Sequence, residues 1–195
     1  MLMKGFKNME KNKETKVTTG TGRFSYEHLF RRQIFNGQQG KYGLSFLIPK
    51  DDGETIRKIK SAIRAAYEAG KSKLKSGDKV LPLESIDLPL RDGDVEKAGD
   101  PNYAGHYFLS AKCSDQPLVV DRQKERITDP SAVWSGDYGR ISVNFYAYNY
   151  GRPGIAAWLN GVQLLKKGPK IGGHGSALND FDAVDEDDEE DELPF

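Results

Sequence analysis

A single cysteine, Cys113, is all the chain has, and one thiol cannot close an internal disulfide. Histidine is nearly as scarce: His28, His106 and His174 are scattered and form no zinc-ligand spacing with one another or with Cys113. No stretch approaches the ~20 consecutive apolar residues that span a bilayer. The opening MLMKGFKNMEKNKETK lacks the apolar run of a secretory signal. These absences argue against a disulfide-stapled secreted domain, a helical membrane protein and a zinc site. The expectation is a soluble, intracellular protein in a reducing compartment, without a cofactor.

Net charge is also missing, with 29 basic and 29 acidic residues, but the balance is misleading. Ten of the carboxylates fall in the last sixteen residues, DFDAVDEDDEEDELPF, where no Lys or Arg occurs. Positions 1–179 therefore hold 19 acidic against 29 basic residues, a surplus of ten positive charges. A basic body joined to an acidic tail points to a polyanionic partner, and to a tail that can imitate one.

The organisation reads as a disordered stretch over 1–15, a folded domain over 16–172, and a linker with acidic tail over 173–195. Lys16–Arg23 is rich in Thr and Val and suggests a strand; Ser25–Phe30 suggests a short helical or turn insert. Asn36-Gly37 marks a turn. In KYGLSFLI, Tyr42, Leu44, Phe46 and Ile48 alternate onto one strand face, and Pro49 ends the run. A helix is expected over about 52–75, with Ile56, Ile59, Ile63 and Ala66 or Tyr67 as its apolar stripe. Asp51 or Asp52 can cap its start, and Gly70 or Gly77 can end it. Its other face, with Arg57, Lys58, Lys60 and Arg64, reads as solvated. Asp78–Tyr103 reads as a long loop. Strands follow over Tyr107–Cys113, Tyr138–Tyr150 and Ile155–Leu165, the last two joined by a Gly-Arg-Pro-Gly turn. Many short strands with one main helix predict a mainly β protein built on a small barrel.

The stretch YGRISVNFYAYNY carries the functional argument. Its odd positions, Gly139, Ile141, Val143, Phe145, Ala147 and Asn149, make a core face. Its even positions are Tyr138, Arg140, Ser142, Asn144, Tyr146, Tyr148 and Tyr150. Solvated strand faces usually carry Lys, Glu and Thr, whereas tyrosines interleaved with Arg and Asn suit unpaired bases. Rings stack on any base at ~1–3 kcal/mol each, and nearby cations hold phosphates. Lys41, Tyr42, Tyr107, Phe108, Lys112 and Trp158 offer similar neighbours on other strands. With Arg140, Tyr146, Tyr148 and Tyr150 they form the predicted DNA-binding set. Taken singly, each of the aromatics also fits a half-buried barrel position.

The tail is too charged to fold alone. An acidic terminus is usually a solubilising extension, but this one ends in Leu193-Pro194-Phe195. Phe195 can fill an apolar pocket whose basic rim pairs with carboxylates such as Asp191 and Glu192. The same tail can also fold back and compete weakly for the basic groove.

Four segments, FNGQQGKYGLSFLIPK (35–50), PLRDGD (89–94), YAGHYFLSAK (103–112) and WSGDYGRISVNFYAYNYGRPGIAAWLNGVQLL (134–165), resemble a bacteriophage single-stranded-DNA-binding family long known only as a domain of unknown function. The resemblance spreads over most of 16–170. It implies an OB-fold-like barrel, no catalytic centre, and a DNA-binding role in phage replication, recombination or repair within the bacterial host cytoplasm. The ending separately resembles the acidic Pro-Phe tip of bacterial single-strand-binding proteins, which docks onto replication and repair enzymes. Three other classes compete. A metal-dependent nuclease would use Asp92, Asp94 and Asp100; an RNA-binding, cold-shock-like module would use the same barrel; a pure adaptor would act through its tail alone.

Overall fold

The computed structural model describes residues 13–171. Twelve strands occur among them: β1 (Lys16–Thr18), β2 (Gly22–His28), β3 (Ile34–Phe35), β4 (Gln38–Gln39), β5 (Tyr42–Pro49), β6 (Lys75–Ser76), β7 (Lys79–Val80), β8 (Leu90–Asp92), β9 (His106–Cys113), β10 (Leu118–Val120), β11 (Tyr138–Tyr148) and β12 (Gly154–Lys166). Two helices lie wholly within the described residues, α1 (Gly53–Gly70) and the single turn α2 (Gly93–Glu96).

Five strands close a barrel in the order β11-β2-β5-β9-β12, because β12 pairs back onto β11. The β9–β12 pair is parallel and the other barrel pairs are antiparallel. This is the OB-like barrel that the sequence led us to expect, and closing it removes the exposed edges of an open sheet. Outside the barrel, β1 pairs with β11, β10 with β12 and β8 with β9.

Alternation places the core. On β5, Leu44, Phe46 and Ile48 point inward and are buried, with Tyr42 partly buried at the end of the same row. On β11, Gly139, Ile141, Val143, Phe145 and Ala147 are all buried, so the odd face is the core face along the whole strand. The faces are not exchanged, because both irregularities of this pairing sit on the partner strand, one at Leu165 and one at Asn160. Ser142 pairs with Gly161 and Val143 with Leu159, which leaves Asn160 as an extra residue on β12. That bulge turns Val162 inward in line with Leu159, while Asn160 and Gly161 both stay outside.

Helix α1 covers one end of this core with Ile56, Ile59, Ala62, Ile63 and Ala66, the spacing of one apolar stripe. Asp52 is its cap: Oδ1 accepts from the Thr55 N–H at 3.0 Å. Thr55 Oγ1 in turn accepts from the Gly20 N–H at 2.8 Å, which fixes the helix start to the β1–β2 connection. The helix ends at Gly70, short of residue 75.

Three local expectations are corrected. Lys16–Arg23 is not one strand: it is broken at Thr19–Thr21, where Gly20 meets the helix cap. Ser25–Phe30 is not a helical insert, since Ser25 to His28 continue β2 through a bulge at which Tyr26 adopts φ 47°. Asp78–Tyr103 is not an irregular loop. It contains β7, β8, α2 and a 3-10 turn at Leu83–Ser85. Asn36 and Gly37, at φ 48° and 75°, make the expected tight turn, now seen as the tip of the β3–β4 hairpin.

Candidate nucleic-acid interface

The outer faces of β5, β9, β12 and β11 form one open surface with two adjoining clefts. The first, about 250 Å³, is lined by Tyr26, Tyr42, Ser45, Lys97, Tyr103 and Phe108, among others. The second, about 480 Å³, is lined by Asp87, Pro89, Tyr146, Tyr148, Tyr150 and Ala156, among others. Lys41, Arg91, Ser110 and Lys112 line both, so the two clefts are halves of a single groove. In an OB-type barrel the second and third strands carry the binding face, and here those strands are β5 and β9.

The wall of the first cleft is held from beneath. Tyr103 is 1% exposed, and its hydroxyl is hydrogen-bonded to Ser25 Oγ at 3.1 Å and Ser45 Oγ at 3.3 Å. Its ring meets Phe108 edge-on, with centroids 5.2 Å apart. Leu47 and Ile171 complete this small cluster on the outside of the barrel. The loop carrying Tyr103 is anchored further by Asp94, whose Oδ1 accepts from the Gly105 N–H at 2.8 Å.

Aromatic rings stand open along the second cleft. Tyr146 is 39% and Tyr150 is 91% exposed. In the β11–β12 register Tyr146 faces Ala156, a small residue that leaves its ring uncovered on that side, while Tyr148 faces Gly154, where a side chain would meet the Tyr148 hydroxyl. Tyr148 is only half-buried; burial, followed by the charge of Asp87, raises its phenol above the ordinary value. Tyr26 is 57% exposed at the other end of the groove.

The cations between the rings are Lys41, Arg91, Lys97 and Lys112. Among the described residues neither Lys41 nor Lys112 has a carboxylate within ion-pair distance, whereas Arg91 meets Glu96 at 3.1 Å. Lys97 lies 6.0 Å above the Tyr103 ring. Among the described residues the one carboxylate lining the groove, Asp87, is paired with Arg152 at 3.3 Å. Two positive charges on a partly apolar floor, without counter-ions of their own, favour an anionic ligand.

Of the ten predicted DNA-site residues, the groove brings together Lys41, Tyr42, Phe108, Lys112, Tyr146, Tyr148 and Tyr150. Phe108 is buried under Tyr103, so it supports the floor and offers no open ring face. Tyr42 turns partly into the core, and the Arg32 guanidinium lies 5.3 Å above its ring. Three lie elsewhere. Tyr107 has the inward parity of β9 and sits by the helix, with Lys50 and Lys60 5.1 and 5.6 Å from its ring. Arg140 is six positions from Tyr146 down β11, bonded to Gln163. Trp158, half-buried, stands on the outer face between Lys112 and Asn144. Tyr26, Arg91 and Lys97 were missed. The bulge hid the outward turn of Tyr26, and Arg91 and Lys97 lay in a segment read as loop. The predicted partner-binding residues Asp191, Glu192, Leu193, Pro194 and Phe195 lie outside the described residues.

The carboxylates considered for metal chemistry have other partners. Asp92 and Asp94 both bind the Lys50 ammonium, at 2.6 and 2.7 Å. Asp100 accepts from the backbone and side-chain amides of Asn102. Among the described residues no three His, Cys, Asp or Glu side chains converge as a metal site requires. Cys113 is buried, and that burial pushes its thiol up to about 11, far from the thiolate a reactive cysteine needs.

Comparison with known proteins agrees with this geometry. Residues 15–193 match the family of the ssDNA-binding protein of Enterobacter phage Enc34. "Putative protein p50" of Acyrthosiphon pisum secondary endosymbiont phage 1 is 31% identical over 183 residues, covering 91% of this chain and 98% of that protein. The single-stranded DNA-binding protein from bacteriophage Enc34, solved in complex with ssDNA, aligns with a TM-score of 0.67 at 26% identity. That alignment covers 83% of this chain and 94% of the phage protein. Gp2.5, a single-stranded DNA binding protein encoded by bacteriophage T7, shares the fold at 16% identity, with a TM-score of 0.64 over 92% and 98% of the two chains. The Enc34 and T7 proteins are single-stranded DNA-binding proteins, and the matched family is a binding family and not an enzymatic one. The chain belongs to the phage Enc34 single-stranded-DNA-binding protein family.

Proposed function

We propose that the protein binds single-stranded DNA without base-sequence preference, in phage DNA replication, recombination or repair in the cytoplasm of the infected bacterium. The strand lies across the outer faces of β5, β9, β12 and β11. Tyr146, Tyr150 and Tyr26 offer ring faces for stacking, with Tyr148 contributing its exposed edge. Lys41, Lys112, Arg91 and Lys97 hold phosphates. One observation carries this reading: the open rings of Tyr146, opposite Ala156, and Tyr150 share a groove with two lysines that have no carboxylate partner among the described residues. Duplex DNA hides the base faces that such rings would meet, so the groove suits single strands. The ssDNA complex of the Enc34 relative supports the same ligand class.

On this reading residues 16–172 are the binding body, 1–15 an appendage, and 173–195 a linker with an acidic tail that recruits replication or recombination proteins. Asp191, Glu192, Leu193, Pro194 and Phe195 are its docking tip. A gel shift with single- and double-stranded DNA, using the full chain and a chain ending at 172, tests both parts. We expect preference for single strands and equal or tighter binding after truncation. Loss of binding on truncation would contradict the body as the binding element. Competition between matched oligo-dT and oligo-U measures discrimination against RNA, and tighter binding of oligo-U would replace DNA by RNA as the ligand.

A further inference from the structure

The outer face of β11 does not stop at the groove. Beyond Tyr146 its outward residues run Asn144, Ser142, Arg140, facing Trp158, Gly161 and Gln163 on β12. At the far end lies a second trough of about 220 Å³, distinct from the groove and sharing no residue with it. Its floor is low, made of Gly161 and the backbone at the core residues Ile141 and Val162, and the apolar side chain at its edge is Leu118, 51% exposed. Its rim carries Arg140 and Lys124.

The cationic end of this trough is built rather than incidental. Arg140 donates from Nη2 to Gln163 Oε1 at 2.8 Å, and Gln163 Nε2 donates to the Asp121 carbonyl at 3.0 Å. Asp121 begins the turn Asp-Arg-Gln-Lys-Glu-Arg, and its Oδ1 accepts from the N–H groups of Gln123 at 2.9 Å and Glu125 at 2.8 Å. That turn holds Arg122, Lys124 and Arg126, all exposed, and among the described residues none of the three is in an ion pair. Glu125 is the only other carboxylate in it. Between trough and groove the path is low. Ser142 faces Gly161, and Asn160 is held down by hydrogen bonds from its Nδ2 to Asn144 Oδ1 at 2.9 Å and Ser142 Oγ at 3.4 Å.

We propose that this trough is a second station on the same single-stranded track. A strand leaving the groove at Tyr146 passes Trp158 and Asn160, sets an unpaired base against the Leu118 side chain over Gly161, and places phosphates against Arg140, Arg122 and Lys124. An exposed Leu118 beside a low Gly161 floor, with a cationic rim, matches a polyanion that carries apolar faces, and the trough lies on the same strands as the groove. Arg140 lies six steps along β11 from Tyr146, roughly 20 Å at about 3.3 Å per residue. The station therefore lengthens the footprint instead of tightening the hold on a short strand. The inference rests on the groove binding single-stranded DNA.

Oligonucleotide length separates the two. Affinity is measured by fluorescence anisotropy for oligo-dT of roughly 5 and roughly 20 nucleotides, spanning the range of OB-fold site sizes. The proteins are wild type, Arg122→Ala/Lys124→Ala and Leu118→Ala. Both variants change exposed residues, and circular dichroism checks their folding. For the long oligonucleotide we expect the double variant to bind about tenfold more weakly, with the log–log salt slope reduced by about 0.7 for each phosphate it no longer neutralises. The short one should bind all three proteins alike, and Leu118→Ala should also weaken only the long one. Equal losses at both lengths would mean that the turn acts through general charge, and that overturns the station. So does an unchanged long-oligonucleotide affinity, or a wild type that binds both lengths equally. A wild type that binds neither oligonucleotide would instead remove the groove reading itself.

Discussion

Tyr146 on β11 faces Ala156 on β12, and the methyl group opposite leaves the tyrosine ring open along the groove. A larger residue at 156 would cover that ring without touching the core. Tyr146→Ala is therefore expected to weaken oligo-dT binding by about 1–3 kcal/mol, the range for one stacked base. Tyr146→Phe should bind like wild type, because stacking needs the ring and not the hydroxyl. Ala156→Leu should weaken binding in the same direction with the tyrosine intact. Wild-type affinity in folded Tyr146→Ala would return this residue to a packing role.

Tyr103 ties the groove wall to the barrel through hydroxyls on two strands, Ser25 of β2 and Ser45 of β5. Ser25 is itself buried, so deleting the phenol oxygen leaves it a partner short. We expect Tyr103→Phe to lower stability by about 1 kcal/mol in urea denaturation. Tyr103→Ala also removes the ring packed on Phe108, and should cost roughly 3–5 kcal/mol, as for other large aromatic truncations. An unchanged urea midpoint in Tyr103→Phe would show the hydroxyl pair to be energetically idle.

Asp137 is fully buried and gathers three donors: the Trp134 N–H at 3.0 Å, the Gly168 N–H at 3.1 Å and the Lys167 ammonium at 2.6 Å. Lys167 also lies over the Trp134 ring, 3.1 Å from its centroid. This cluster fastens the segment after β12 to the barrel wall. Losing one partner of a buried ion pair costs roughly 3–5 kcal/mol. Lys167 remains 43% exposed and can turn to water, so Asp137→Ala should fall near the bottom of that range, at about 3 kcal/mol. Asp137→Asn keeps an acceptor and should lose less. Equal losses in the two variants, read from urea midpoints, would mean that charge contributes nothing beyond hydrogen bonding.

The barrel was legible because its strands alternate. Leu44, Phe46 and Ile48, and the odd residues of β11, declare their buried face by parity alone. Parity fails where a bulge intervenes. At Ser25–His28 the register slips and Tyr26 leaves the pattern, so an exposed groove tyrosine was hidden in a segment read as a short helical or turn insert. Tyr107 and Phe108 illustrate a second limit. Adjacent aromatics on one strand must face opposite ways, yet neither proves to be an open stacking ring: one turns to the core, the other is roofed by Tyr103. That roof comes from a loop whose position no local periodicity encodes. Arg91 and Lys97 share this origin, entering the groove through β8 and the turn after α2.

Lys50 joins two carboxylates from the PLRDGD segment, Asp92 and Asp94, and this gives the stability of the β5–β8 junction an acid limb. The hydrogen bond from Lys50 holds the Asp94 carboxyl below its ordinary value, helped by the Gly105 N–H. The same pair of carboxylates raises the Lys50 ammonium. A carboxylate with a lowered folded value adds stability that is complete above its unfolded value, near pH 4, and fades as pH falls through the folded one. The lysine contribution is complete below its unfolded value, near pH 10.4, and is lost only as pH rises through its raised folded one. Between these limits Lys50 and Asp94 are both charged, and wild type should exceed Lys50→Met in stability by a constant margin from about pH 5 to 9. The margin should shrink as pH drops from about 4 toward 2. Both partners are partly solvated, at 32% and 45% side-chain exposure, so added salt should narrow the neutral-pH margin as well. Urea denaturation of the two proteins across pH measures this directly. A margin unchanged between pH 7 and pH 2.5 would assign the stability to the packing of the lysine stem and not to its charge.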